Sequence, residues 1–143
     1  MKVDLRSLIG LLVFAGSLQS FAGSEFHPAY VGAVSINPCQ DPQILADWYA
    51  KIGIATHKGP DGGFYGTFET QGGPFVFGIH KKNDNAPQTC PASMAVVFRV
   101  DAFDTFIAEV RKRGLMPKVD QYPEGRFAQM KDPDGNDVSL WGK

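Results

Sequence analysis

Tyr30-Val31-Gly32-Ala33-Val34-Ser35-Ile36-Asn37 and Ala95-Val96-Val97-Phe98-Arg99-Val100, whose Ala95 stands 62 residues after Ala33, are the two stretches whose likeness decides the fold. Both are short runs of β-forming residues closed by turn chemistry, here Pro38 and Asp41-Pro42. Behind the first run, Asp41 is a good helix N-cap and Pro42 a good first helical residue. Ile44, Leu45, Trp48, Tyr49 and Ile52 then recur at steps of three and four, the stripe of an amphipathic helix, and Gly53 ends it. Strands are expected at Ile54 to Lys58, Phe64 to Thr70 and Phe75 to His80, parted by Pro60-Asp61-Gly62-Gly63 and Gly72-Gly73-Pro74.

After a polar linker from Lys81 to Ala92, the order repeats. Ala95 to Val100 is a strand, and Asp104 is expected to cap a helix carrying Phe106, Ile107 and Val110 that ends near Gly114. Strands follow at Lys118 to Asp120, Arg126 to Met130 and Asp137 to Trp141. A shift of 62 residues places Ala33-Val34 on Ala95-Val96, Ile44-Leu45 on Phe106-Ile107, Tyr65 on Phe127, Gly73 on Gly135 and Val76 on Val138. The chain therefore reads as a duplicated β-α-β-β-β unit.

The remaining sequence sets the context. Lys2 and Arg6 precede an apolar run from Leu8 to Leu18, and Ser20-Phe21-Ala22 supplies small residues for cleavage, so residues 1–22 read as a secretory signal with Gly23 as the new N-terminus. Residues 23–143 form one domain, with modules at about 29–80 and 93–142. Lys plus Arg is 14 against 15 for Asp plus Glu, a net charge of −1, and no basic cluster supplies a nucleic-acid footprint. The N-terminal run is too short to span a membrane as an anchor, and no other stretch is as rich in apolar residues. In an oxidising compartment Cys39 and Cys90 read as a disulfide, with two unpaired buried thiols as the alternative.

With the duplicated plan, the pair Trp48-Tyr49 before Gly53, and above all Asp132-Pro133-Asp134-Gly135-Asn136 followed by Val138-Ser139-Leu140, the chain resembles the vicinal oxygen chelate superfamily, which includes glyoxalase I, extradiol dioxygenases and bleomycin-resistance proteins. The resemblance implies an α+β fold in which two βαβββ modules form one incomplete mixed barrel. It also implies a cavity in which His or Glu from the first and last strand of each module holds a divalent metal. Carried over residue by residue, those positions are Ala33, Phe77, Ala95 and Ser139, and none is a metal ligand. His27, His57 and His80 fall outside the pattern, and Glu69 lacks a second acid for general acid/base work.

Strand alternation places Ala33, Ser35 and Asn37, Phe75 and Phe77, Ala95, Val97 and Arg99, and Asp137, Ser139 and Trp141 on the cavity face. The expected ligand pocket is thus Ser35, Asn37, Phe75, Phe77, Arg99, Asp137, Ser139 and Trp141, with no catalytic residue, metal or cofactor; the alternative is that the aromatics are core and that Arg99 pairs with Asp137. The function expected is metal-free binding of a small organic molecule by a periplasmic or secreted protein. The alternatives are a lyase or dioxygenase of the same superfamily with non-standard ligands, and a protein-interaction module. Implied partners are the small ligand and, as an option, a second copy of the chain, with no nucleic acid and no membrane after cleavage.

Overall fold

A computed structural model describes residues 31–85 and 94–143. Residues 1–30, with the expected secretory signal, and residues 86–93, with most of the linker and Cys90, lie outside the described residues. Two units follow one another. The first runs β1 (Ala33–Ile36), α1 (Pro42–Lys51), β2 (His57–Lys58), β3 (Phe64–Thr70) and β4 (Gly73–Ile79), and the second β5 (Ala95–Arg99), α2 (Phe103–Lys112), β6 (Lys118–Tyr122), β7 (Gly125–Lys131) and β8 (Asp137–Gly142). Each forms a four-stranded mixed sheet, ordered β1-β4-β3-β2 and β5-β8-β7-β6, in which the first strand runs parallel to the last. This is the duplicated architecture, and neither sheet closes into a barrel.

The helices show how local sequence sets the elements. Asp41 caps α1 as expected, its Oδ1 accepting the Gln43 N–H at 2.9 Å. Both helices end in a Schellman motif: Ile54 N–H donates to Tyr49 O and Gly53 N–H to Ala50 O, while Leu115 N–H donates to Val110 O and Gly114 N–H to Arg111 O. Gly53 and Gly114 take the left-handed turn at φ +87 and +88, where a side chain would be strained. At the start of α2 the expectation is corrected. The N-cap is Ala102, at φ +47 and without a side-chain cap bond, and Asp104 lies in the first turn. There it accepts a bidentate pair from Arg126 at 2.7 and 2.9 Å, so its carboxylate is spent on holding β7 to the helix rather than on the helix amides.

One apolar core serves both units, built from Leu45, Tyr49, Phe77 and Ile79 of the first and Phe103, Ile107, Val110, Val138 and Leu140 of the second. Polar contacts join the units at the turn between β7 and β8. Buried Asp132 accepts from Asp134 N–H at 3.0 Å, Asn136 N–H at 2.9 Å, Asn136 Nδ2 at 2.9 Å and the Tyr49 hydroxyl at 3.0 Å. Asp134 Oδ2 accepts from Cys39 N–H at 2.9 Å. The turn, recognised in the sequence by its Pro and Gly, is therefore also the latch that ties β7–β8 to α1 and to the loop before it.

The repeat is less regular than one shift implies. β1 pairs with β4 as Val34↔Phe77 and Ile36↔Ile79, and β5 with β8 as Val96↔Val138 and Phe98↔Leu140. The first strands thus correspond with a shift of 62 residues and the last strands with a shift of 61. That single-residue slip matters because neighbouring residues of a strand face opposite sides.

Candidate functional site

Phe77 is the residue the slip misplaces. A shift of 62 aligns it with Ser139 on the cavity face, but its structural counterpart is Val138, and its ring packs on Tyr49 of α1 with centroids 4.6 Å apart. It is 0% exposed and belongs to the core. Gly78 is the true counterpart of Ser139, opposite Ser35 in β1 as Ser139 is opposite Val97 in β5. The face turned away from the core then carries Ala33, Ser35, Val76 and Gly78 in the first sheet, and Ala95, Val97, Arg99, Asp137, Ser139 and Trp141 in the second.

This face tests the metal implied by the resemblance, and the residues do not fit one. At the positions the resemblance assigns to ligands, Ala33 and Gly78 in the first sheet and Ala95 and Ser139 in the second, the side chains are a methyl, a hydrogen, a methyl and a hydroxyl. Asp137, a carboxylate on the same face, is held by Lys131 Nζ at 2.7 Å. Among the described residues no group of three or more His, Cys, Asp or Glu stands together. The proposed Arg99–Asp137 pair does not form, because Lys131 takes Asp137 and Arg99 turns to Trp141.

A cleft of about 730 Å³ opens between the β3–β4 hairpin and the edge of β5, within the roughly 300–1,000 Å³ usual for small-molecule sites. Phe75, Val97 and Phe98 form its apolar surface, and Glu69, Thr70, Gln71, Arg99 and Asp101 its polar rim. Val97 is 55% exposed, a large apolar side chain left open to the cleft. Phe75 comes from the core-side face of β4, meeting Phe98 edge-to-face at 6.3 Å where the two sheets abut. Of the expected pocket residues the cleft therefore brings together Phe75 and Arg99. Ser35, Asn37, Asp137 and Ser139 are not among its lining residues, and Trp141 acts from behind Arg99.

Arg99 stands opposite Trp141 in the β5–β8 register, and its guanidinium carbon lies 5.0 Å from the centre of the indole. On β7, Phe127 stacks with the indole at 6.0 Å and 13° between planes, and Tyr122 of β6 meets Phe127 edge-on at 5.5 Å. The indole Nε1–H donates to Glu124 O at 3.3 Å. Sequence alternation could have found Phe127, because it lies opposite Trp141 on β7; the hairpin-tip residues Glu69 to Gly72 could not be found that way, since they reach the cleft from the other unit.

No family model matches the sequence, and no curated protein does. Solved structures match at the level of the fold. A glyoxalase/bleomycin resistance protein from Streptomyces sp. CB03234 is 25% identical, with a TM-score of 0.55 over 78% of this chain and 99% of that one. TnmS3, an antibiotic-binding protein from the same source, is 24% identical, with a TM-score of 0.56 over 78% of this chain and 93% of that one. Lactoylglutathione lyase from Agrobacterium tumefaciens is 13% identical, with a TM-score of 0.57 over 80% of this chain and 93% of that one.

Proposed function

We propose that this chain, which has the vicinal oxygen chelate fold of the glyoxalase and bleomycin-resistance proteins, is an exported protein that binds a small organic molecule without a metal. The observation that carries the proposal is the open apolar cleft between the β3–β4 hairpin and β5, rimmed by polar groups, on a scaffold whose metal-ligand positions hold Ala33, Gly78, Ala95 and Ser139. Such a site retains a ligand by removing its apolar surface from water, at roughly 25 cal/mol per Å², and orients it by a few hydrogen bonds. The antibiotic-binding protein among the structures of this fold supports the same use of the scaffold. Export rests on the sequence of residues 1–22, and the Cys39–Cys90 bridge on the oxidising compartment that export implies.

The test is equilibrium binding of N-phenylnaphthylamine, a neutral aromatic probe whose fluorescence rises in apolar surroundings. One probe is expected to bind per chain, and Val97→Glu, which places a carboxylate on an already exposed side chain in the cleft, is expected to abolish binding while leaving the unfolding midpoint unchanged. Absence of binding to the unmodified protein, or equal binding to the Val97→Glu variant, would reject the cleft as the site.

A further inference from the structure

We infer that Arg99 is the anion-recognising residue of the cleft, so that its ligand is a flat apolar molecule bearing one acidic oxygen group, a carboxylate, sulfonate or acidic enol. The inference rests on the small-molecule reading of the cleft and goes beyond it by naming the ligand's chemistry.

Two of the three other described arginines are held by acidic or carbonyl partners. Arg113 gives its donors to Glu109 at 3.0 Å and to Ala50 O at 3.2 Å, and Arg126 gives both ends of its fork to Asp104, whereas Arg111, in the last turn of α2, has neither an acidic partner nor an aromatic ring among the described residues. The Arg99 side chain makes neither an ion pair nor a hydrogen bond with any described residue. Glu69 and Asp101 line the same cleft, yet neither closes to ion-pair distance with it.

The side chain is nonetheless held in place. The guanidinium lies over the Trp141 ring, and Trp141 is itself fixed by Phe127 on the neighbouring strand and by its bond to Glu124 O. A cation–π contact holds the charge without giving its N–H donors a hydrogen-bond acceptor. A planar fork oriented in advance loses little side-chain entropy when it meets a carboxylate or sulfonate, whose paired oxygens match its geometry. A guanidinium needed only for solubility requires no such support.

The rest of the rim narrows the ligand further. Phe75, Val97 and Phe98 ask for an apolar body, while Glu69 and Asp101 repel a second anionic group and favour hydroxyl or amine donors on the part of the molecule away from Arg99. Arg99, Trp141 and Phe127 line up on β5, β8 and β7, so the edge of the second sheet carries the recognition and the hairpin of the first closes the opposite wall.

The experiment compares two probes that share a ring system and differ in the acid: anilinonaphthalenesulfonate and N-phenylnaphthylamine. Each is titrated against the unmodified protein and against Arg99→Gln, Arg99→Lys and Val97→Glu. Arg99→Gln is expected to weaken the sulfonate about tenfold, the loss of one charge-assisted fork, and to leave the neutral probe within about twofold. Arg99→Lys is expected to fall between, since it keeps the charge and loses the fork. Val97→Glu is expected to lose both probes. If the neutral probe binds in the cleft while Arg99→Gln leaves the sulfonate unchanged, or if the sulfonate fails to bind, the Arg99 inference is overturned and the cleft stands. If neither probe binds, cleft and inference fall together.

Discussion

Replacing Tyr49 by Phe removes one oxygen from the interior and should loosen the contact that latches the two units together. Tyr49 is 0% exposed, its hydroxyl donates to Asp132 Oδ2 at 3.0 Å, and its ring packs on Phe77. A hydrogen bond to a charged group is worth about 1.5–3 kcal/mol, but Asp132 keeps three other donors, from Asp134 and Asn136, which places Tyr49→Phe at the lower end, about 1–2 kcal/mol. Asp132→Ala strips all four bonds and leaves buried donors unanswered, at about 3–5 kcal/mol. Urea unfolding should show the midpoint falling with an unchanged slope, and Tm should drop by roughly 3–10 °C for Tyr49→Phe. In an Asp132→Ala background, Tyr49→Phe should cost almost nothing more, because the two groups act through one bond. A loss below about 0.5 kcal/mol for Tyr49→Phe in the unmodified protein, or full additivity of the two changes, would refute the latch.

Burial and the neighbouring Asp132 carboxylate hold the Tyr49 phenol well above its ordinary pKa, so at alkaline pH the unfolded chain loses this proton before the folded one does, and stability should fall as pH rises beyond about 10. The comparison of stability curves should show that part of the slope missing in Tyr49→Phe. For the cysteines, the exported protein should contain no free thiol before reduction, and reduction of the Cys39–Cys90 bridge should lower stability by about 3–4 kcal/mol; two titratable thiols in unreduced protein would dismiss the bridge. N-terminal sequencing of exported material should begin at Gly23, and a chain that still starts at Met1 would reject the secretory signal.

The fold was legible because the signals that make each element are local. Asp41-Pro42 starts a helix, Gly53 and Gly114 end two, and alternation with turn residues marks the strands. The turn from Asp132 to Asn136 was legible as a turn, but its tie to Tyr49 was not, since a contact across 83 residues leaves no trace in local pattern. Phe77 was misplaced for a physical reason: the shift that matches β1 with β5 differs by one residue from the shift that matches β4 with β8, and one residue turns a side chain through the sheet. The same distance effect hid the cleft. Alternation shows which side chains share a face, whereas Glu69 to Gly72 reach Arg99 only through the packing of one unit on the other. Lys131 taking Asp137 likewise depended on the β7–β8 register, which set the two residues opposite each other and left Arg99 to the indole.

The most direct measurement is the metal content of the mature protein purified without chelator, combined with N-phenylnaphthylamine binding before and after treatment with EDTA. A binding protein built on Ala33, Gly78, Ala95 and Ser139 should carry far less than one equivalent of zinc, nickel, iron or manganese, and its affinity for the probe should be the same on both sides of the treatment. A stoichiometric metal whose removal abolishes probe binding would contradict it.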